Sequence, residues 1–297
     1  MMKRCINILF CLVMMSATGT AQTLHTPFPP SFVNTQDNEL LHPASLHSAF
    51  QRMREGKPVK IMLIGDSHTR GNIFPRTVGL KLQAQFPSVE FSYYGINGAW
   101  ARRFYEQDMI QRVSAERPHL VIVCFGTNEA HGDFSETAHT ATLNLLTQRI
   151  SERLPGVLFL FTTPPGSYIS VRTGRRYTTG RGRRRRTHYA TSKVRNERTE
   201  RVARNIVNYG NAHQQAVWDL FTIVGGPAYA CTNWRNAGLM QADGVHFLAQ
   251  GYQLQGTLLA EAIIRAYETV APQGSQTRMM QPPTPQEQRP NASLQGF

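Results

Sequence analysis

Four groups of reactive or turn-forming residues stand far apart in the chain: Gly65-Asp66-Ser67, Gly98, Gly126-Thr127-Asn128 and Asp243-Gly244-Val245-His246. A serine hydroxyl is a poor nucleophile until a base takes its proton. His246 is a candidate for that base. Asp243, on the same glycine-containing turn, is a candidate to hold the imidazole tautomer and to stabilise the imidazolium that forms. Attack of a serine on an acyl group also builds an oxyanion, which needs preorganised donors. The backbone N–H groups of Ser67 and Gly98 and the side-chain amide of Asn128 are the candidates for that task. Each residue alone has a plainer reading. Asp66 or Ser67 serves equally as a helix cap, Asn128 caps a loop, Gly98 makes a tight turn, and Asp-x-x-His is a weak pattern. Jointly, and on the turns described next, they read as one site.

The elements that would bring these groups together follow from the hydrophobic pattern. Val59 to Ile64 reads as a short buried strand that stops at Gly65, with the serine in the turn just beyond it. Phe91 to Tyr94 is a second strand, and Gly95-Ile96-Asn97-Gly98-Ala99 is its turn. Leu120 to Phe125 is a continuous apolar run, as in a strand buried on both faces. Val157 to Phe161 is a fourth strand, and Ala216 to Leu220 a short fifth. Helical spacing appears at Ala44–Arg54, at Ile73–Gln85 with Val78, Leu80 and Leu82 apolar, at Ala101–Ser114, at Ala138–Arg153, at Glu197–His213 and at Ala249–Tyr267. Gly225-Gly226-Pro227 and Asn233-Trp234-Arg235 fall in a long irregular stretch. Strands alternating with helices of this length predict βαβ units and a parallel sheet with helices on both faces, a three-layer α/β/α sandwich. In such a sheet all strand ends of one kind lie on one edge, where ligands bind.

The four groups of residues resemble the four conserved blocks of the SGNH (GDSL-like) hydrolases, over about Val59 to Tyr267. The resemblance implies a flavodoxin-like α/β/α fold, a Ser67–His246–Asp243 triad, an oxyanion hole from Ser67, Gly98 and Asn128, and no metal or organic cofactor. Thr69 stands where the nucleophile elbow of α/β-hydrolases has its second glycine, so that fold is not the match. His68 after the serine, with the Gly95–Ala99 turn, looks like the branch containing peptidoglycan O-acetylesterases. Members of that branch with an inserted carbohydrate-binding module need more room than the interval between Ser67 and Gly98 offers. His68, Trp100, Arg183 and Arg184 are candidate substrate-binding residues.

Composition bounds the setting. With 297 residues and 41% hydrophobic content the chain can bury a sizeable core. Lys3 and Arg4 precede an apolar run from Cys5 to Met15, then small residues up to Ala21. This predicts a cleaved secretory signal over 1–21 and a secreted or periplasmic protein with no transmembrane span after cleavage. Cys11 as a lipidated cysteine is disfavoured by the bulk of Phe10. A Pro-, Thr- and Asn-rich leader over 22–43 leads into a domain over 44–270, and a Pro/Gln-rich tail over 271–297 reads as disordered. Cys124 and Cys231 remain after signal removal; they can pair, or Cys124 packs as a small hydrophobe. No metal-ligand spacing accompanies them.

The formal charge is +13, and residues 172–186 hold eight arginines. The stretch 167–196 therefore reads as an exposed, mobile loop. It is either an arm for an anionic envelope polymer or a solvated loop. Nucleic acid is the weaker partner, because only Tyr177 and Tyr189 offer stacking surfaces there. The expected activity is hydrolysis of O-acyl, above all O-acetyl, esters on an acylated glycan such as peptidoglycan. The alternatives are a lipase or thioesterase on the same scaffold, or a non-catalytic polyanion binder.

Overall fold

The computed structural model describes residues 29–270. The signal at 1–21 and the tail at 271–297 lie outside the described residues, as do the first residues of the leader.

The main sheet has six strands in the order β1-β8-β5-β4-β2-β3. They are β1 (Leu40–Leu41), β2 (Val59–Gly65), β3 (Val89–Gly95), β4 (Leu120–Cys124), β5 (Leu158–Thr162) and β8 (Ala216–Trp218). β2 pairs in parallel with β3 (Gly65 opposite Gly95) and with β4 (Gly65 opposite Cys124). The turns after β2, β3 and β4 thus leave one edge side by side. The chain moves outward from β2 to β3 and then back across to β4, which opens a crevice at the carboxyl end of β2.

Side chains alternate faces along a strand. Ile61 and Leu63 of β2 join one apolar cluster with α1 (His47–Arg54), α3 (Ile73–Gln85) and α10 (Ala249–Thr269). Met62 and Ile64 join the other, with α4 (Gln107–Glu116), α6 (Glu136–Arg153) and α7 (Arg198–His213). Three short helices on strand-end turns, α2 (Ser67–Arg70), α5 (Thr127–His131) and α8 (Leu220–Ile223), and α9 (Gly226–Asn236) complete the domain. The predicted three-layer α/β/α sandwich is what forms.

Several local expectations are corrected. The leader is not merely extended: Leu40 and Leu41 pair antiparallel with β8, so the parallel sheet has one antiparallel edge. The buried Asn38 fixes this edge, accepting from Trp218 Nε1 (2.9 Å) and donating to the Leu258 carbonyl (2.9 Å). Removing one partner from such a buried bond costs about 1–3 kcal/mol. Helix α3 forms as expected, with Val78 and Leu82 buried and Leu80 63% exposed. Ala101–Ser114 is not one helix but a 3-10 turn, Ala101–Tyr105, followed by α4. The stretch expected to be irregular contains α9, with Pro227 in its first turn, where a missing N–H is harmless, and Trp234 fully buried.

The largest correction concerns 167–196. It is a β-hairpin, β6 (Tyr168–Thr179) and β7 (Arg186–Arg195), paired antiparallel from Tyr168–Arg195 to Thr179–Arg186. β-Branched and aromatic residues interleave with the arginines: Val171, Thr173, Tyr177 and Thr179 on β6, Thr187, Tyr189, Thr191 and Val194 on β7. These favour extended backbone. Because neither face packs on a core, the usual apolar alternation is missing, and the charge hides the strands. Cys124 and Cys231 are separate, buried thiols.

Candidate active site

Ser67 is held where β2 ends. A Cβ at Gly65 would meet Thr69 Oγ1 at 2.2 Å and the Cys124 carbonyl at 2.7 Å, so only glycine lets α2 fold so tightly against the strand ends. Asp66 caps α2, accepting from the His68 N–H at 2.9 Å. Its other oxygen accepts from Asn128 Nδ2 at 3.1 Å, while Asn128 Nδ2 also donates to the Ala99 carbonyl at 3.0 Å. Asp66 thereby locks the turns after β2 and β4 together, and Asn128 locks on the turn after β3. Burial pushes the Asp66 carboxyl up to about 7, against the hydrogen bonds that it accepts.

His246 lies after the Asp243-Gly244 turn, and its Nε2 is 2.9 Å from Ser67 Oγ. Its Nδ1 is 2.6 Å from Asp243 Oδ2. A carboxylate only accepts, so Nδ1 carries the hydrogen and Nε2 is free to take the serine proton. Asp243 Oδ1 accepts the backbone N–H groups of Val245 (2.9 Å) and His246 (3.0 Å), which fixes the carboxylate plane. Partial burial opposes ionisation of Asp243, but the bonds from the His246 ring and these amides prevail and lower it to about 2. Asp243 is therefore held as a carboxylate beside the ring.

Gly98 has φ +70°, a left-handed turn that suits glycine. Among the described residues its N–H donates to no protein acceptor. The Ser67 N–H is a first-turn helix donor, which has no intrahelical partner. Both hydrogens of the Asn128 amide are engaged, so Asn128 has to exchange an acceptor before it can serve an oxyanion. Ser67, Gly98, Asn128 and His246 line one open cleft of about 810 Å³, whose lining also includes the polar Arg70, Asn97 and Gln241 and the apolar Ile73 and Leu248.

The other predicted residues lie elsewhere. His68 is buried behind the cleft, its Nδ1 3.0 Å from the Tyr252 hydroxyl. Burial, and then the nearby His246, lower it to about 3. It stays neutral, so an imidazolium at His246, 5.4 Å away between ring centres, meets no like charge from it. Trp100 lines a separate cavity of about 170 Å³ with Arg102, Glu129, Phe134 and His139. Arg183 and Arg184 sit in the 3-10 turn at the hairpin tip.

Sequence reasoning missed the contact between the hairpin base and the Asp243–His246 turn. The Tyr168 N–H donates to the Gly244 carbonyl at 2.7 Å, and the Lys193 ammonium donates to the Asp243 carbonyl. It also missed Tyr252 behind His68 and Arg70 in the cleft. No local spacing signals the contacts of the hairpin or of Tyr252, which come from far along the chain; Arg70 is only three residues after Ser67, and the signal for it was that short spacing. Among the described residues no three His, Cys, Asp or Glu side chains converge as a metal site requires.

None of the proteins of curated function matches the sequence. In structure the chain is similar to a peptidoglycan O-acetylesterase, with a TM-score of 0.60 and 15% identity over 80% of this chain and 98% of that one. It is also similar to a protein of the lipolytic G-D-S-L family from Desulfitobacterium hafniense, with a TM-score of 0.50 and 18% identity over 69% of this chain and 99% of that one. At such identities the likeness establishes the fold. The model of the GDSL-like lipase/acylhydrolase family matches residues 63–254, which run from within β2 into α10, and the chain therefore belongs to that family and is a carboxylic ester hydrolase.

Proposed function

We propose that the protein is a secreted or periplasmic serine esterase that removes O-acyl groups, acetyl above all, from a carbohydrate such as peptidoglycan. The observation that carries this reading is the chain of hydrogen bonds from Asp243 through His246 to Ser67, at 2.6 and 2.9 Å, opening onto a cleft with the unused Gly98 N–H.

In this mechanism Ser67 Oγ attacks the ester carbonyl while His246 Nε2 takes its proton. Asp243 stabilises the imidazolium. The carbonyl oxygen, now negative, receives the N–H groups of Ser67 and Gly98, and the Asn128 amide turns from Asp66 or Ala99 to join them. His246 then gives its proton to the leaving sugar oxygen. Water, deprotonated by the same imidazole, cleaves the acyl-enzyme and restores Ser67. A glycan hydroxyl in place of water makes the reaction a transfer of the acyl group.

The substrate class is supported by the cleft. It is open and carries Arg70, Asn97 and Gln241, which suits a polymer with many hydroxyls. One of the structures sharing this fold is itself a peptidoglycan O-acetylesterase, and the reading takes the same class of substrate. A second reading rests on the apolar residues of the lining, where Ile73 and the 47% exposed Leu248 would suit a longer acyl chain. The test is acetate release from O-acetylated peptidoglycan, alongside aryl esters of increasing acyl length. Ser67→Ala is expected to lower the rate on every substrate by at least about a thousandfold. If Ser67→Ala matches the wild type the mechanism is wrong. If kcat/KM climbs with acyl length and the glycan is untouched, the lipase or thioesterase reading takes its place.

A further inference from the structure

Between Gly166 and Glu197 there are nine arginines, one lysine and no Asp or Glu, so this one segment holds ten of the formal charges that make up the excess of +13. Among the described residues none of these ten cations pairs with a carboxylate; the ion pairs all lie on the body of the domain. Arg195 is spent on the carbonyls of Pro227 and Ala228, which pins the hairpin base to α9. The rest is an uncompensated field on a two-stranded ribbon that has no core of its own. Such a ribbon is marginal unless something covers it.

The register shows how the charges are arranged. Ser170 faces Lys193, Arg172 faces Thr191, and Arg176 faces Tyr189. Residues paired across an antiparallel ladder share a face. On β7, Lys193, Thr191 and Tyr189 stand on one face in steps of roughly 7 Å, and Arg172 and Arg176, paired with Thr191 and Tyr189, share that face on either side of a register shift in β6. The Arg172 guanidinium lies 4.6 Å from the centre of the Tyr189 ring, which confirms that they are on the same side. The inner end of this line is anchored at the proposed site, because Lys193 reaches the Asp243 carbonyl and Tyr168 holds Gly244. Inside the cleft the next cation is Arg70, which also has no ion-pair partner among the described residues.

We propose that the hairpin is an arm for an anionic polysaccharide, whose carboxylate or phosphate groups sit on Lys193, Arg172 and Arg176 while an O-acyl group of the same chain reaches Ser67. This deepens the esterase reading and rests on it for the fate of the acyl group. Repeating charge on a sugar chain matches a line of several cations on one face better than a single small anion does. The other polyanions fit less well. The stacking faces a single-stranded nucleic acid needs are occupied, Tyr189 by Arg172 and Tyr177 by His188 at 5.4 Å. The tip, Gly180 to Arg185, offers no apolar side chain to enter a lipid surface.

The test is binding of the whole protein to fluorescently labelled polygalacturonate and a phosphomannan, with dextran, duplex DNA and anionic phospholipid vesicles in parallel, at low and high salt. One of the two anionic polymers is expected to bind at low salt and to be released by salt; the tighter one names the anion. Arg172→Ser with Arg176→Ser should weaken that binding on the order of tenfold. Arg172→Lys with Arg176→Lys should retain it. Arg76→Ser with Arg153→Ser, which removes the same charge from the domain body, should also retain it. Equal loss in the hairpin and body variants, tighter binding to duplex DNA or vesicles, or no binding to either polymer overturns the proposal. Ser67→Ala should bind like the wild type. Polymer binding without acetate release from any ester would sink the esterase and leave the arm; acetate release without polymer binding would do the reverse.

Discussion

The cleft at the end of β2 and the hairpin β6–β7 handle polar groups in opposite ways. In the cleft the side chains that hold the strand-end turns have assigned partners. Asp66 receives His68 and Asn128, Asn128 also reaches Ala99, and Asp243 receives two backbone amides and a ring nitrogen. The Gly98 N–H, by contrast, faces the open space without a protein acceptor among the described residues, and the buried His68 Nε2 and Thr69 Oγ1 behind it have no partner there either. The hairpin carries a row of guanidinium groups with no counter-charge and both faces open to water. A site that stabilises charge as it develops needs dipoles fixed in advance, and the buried turns of a parallel sheet supply them. A surface that holds a long, variable polymer needs charge and reach rather than fixed geometry. The two regions meet at Gly244, where the hairpin base touches the turn that carries His246.

If this contrast is right, substitutions in the cleft should act on turnover with any ester, and those on the hairpin only with an anionic polymer. The largest further effect expected in the cleft is at Asp243. Asp243→Asn keeps the size but not the charge, and its amide cannot accept both the turn amides and the His246 Nδ1–H. kcat on a small aryl acetate should fall on the order of a thousandfold with the fold intact by circular dichroism. A loss smaller than tenfold would mean that the turn, not the carboxylate, orients His246. Asn128→Ala should cost about a hundredfold in kcat with little change in KM, because the amide is needed at the oxyanion and not in the ground state, where both its hydrogens are engaged. A change in KM alone would make Asn128 a spacer between turns. Against these, the hairpin variants should leave the small ester's rate untouched.

The smallest effect is one of stability. The Asp66 carboxyl stands at about 7 in the folded protein against 3.8 when free. Below about pH 4 both states hold the proton. As the pH rises towards 7 the unfolded chain releases its proton first, so the folded state loses stability. Asp66→Asn cannot titrate. The melting temperature of the wild type relative to this variant should therefore be highest near pH 4 and decline by several degrees up to pH 7. A difference that stays flat with pH would mean that Asp66 is ionised throughout.

Much of the fold was legible because buried parallel strands are continuous apolar runs. Val59–Ile64 and Leu120–Phe125 announce themselves, and their stops at Gly65 and Gly126 locate the turns. The hairpin was misread because its cue is absent: with no buried face there is no apolar alternation, and a sequence dense in arginine reads as loop. α9 was hidden by the glycines at its start.

The sequence by itself determined the parallel α/β sandwich, the order of its main strands along the chain and the identity of the candidate reactive residues, because buried strands and glycine turns leave local marks. Tertiary structure alone decided that His246 stands 2.9 Å from Ser67, that Trp100 faces a different cavity from Ser67, that His68 is neutral behind the cleft, and that a cationic ladder begins at the Asp243 carbonyl. These are contacts between segments far apart in sequence. Their geometry is set by how sheet and helices pack, and no local pattern of residues encodes it.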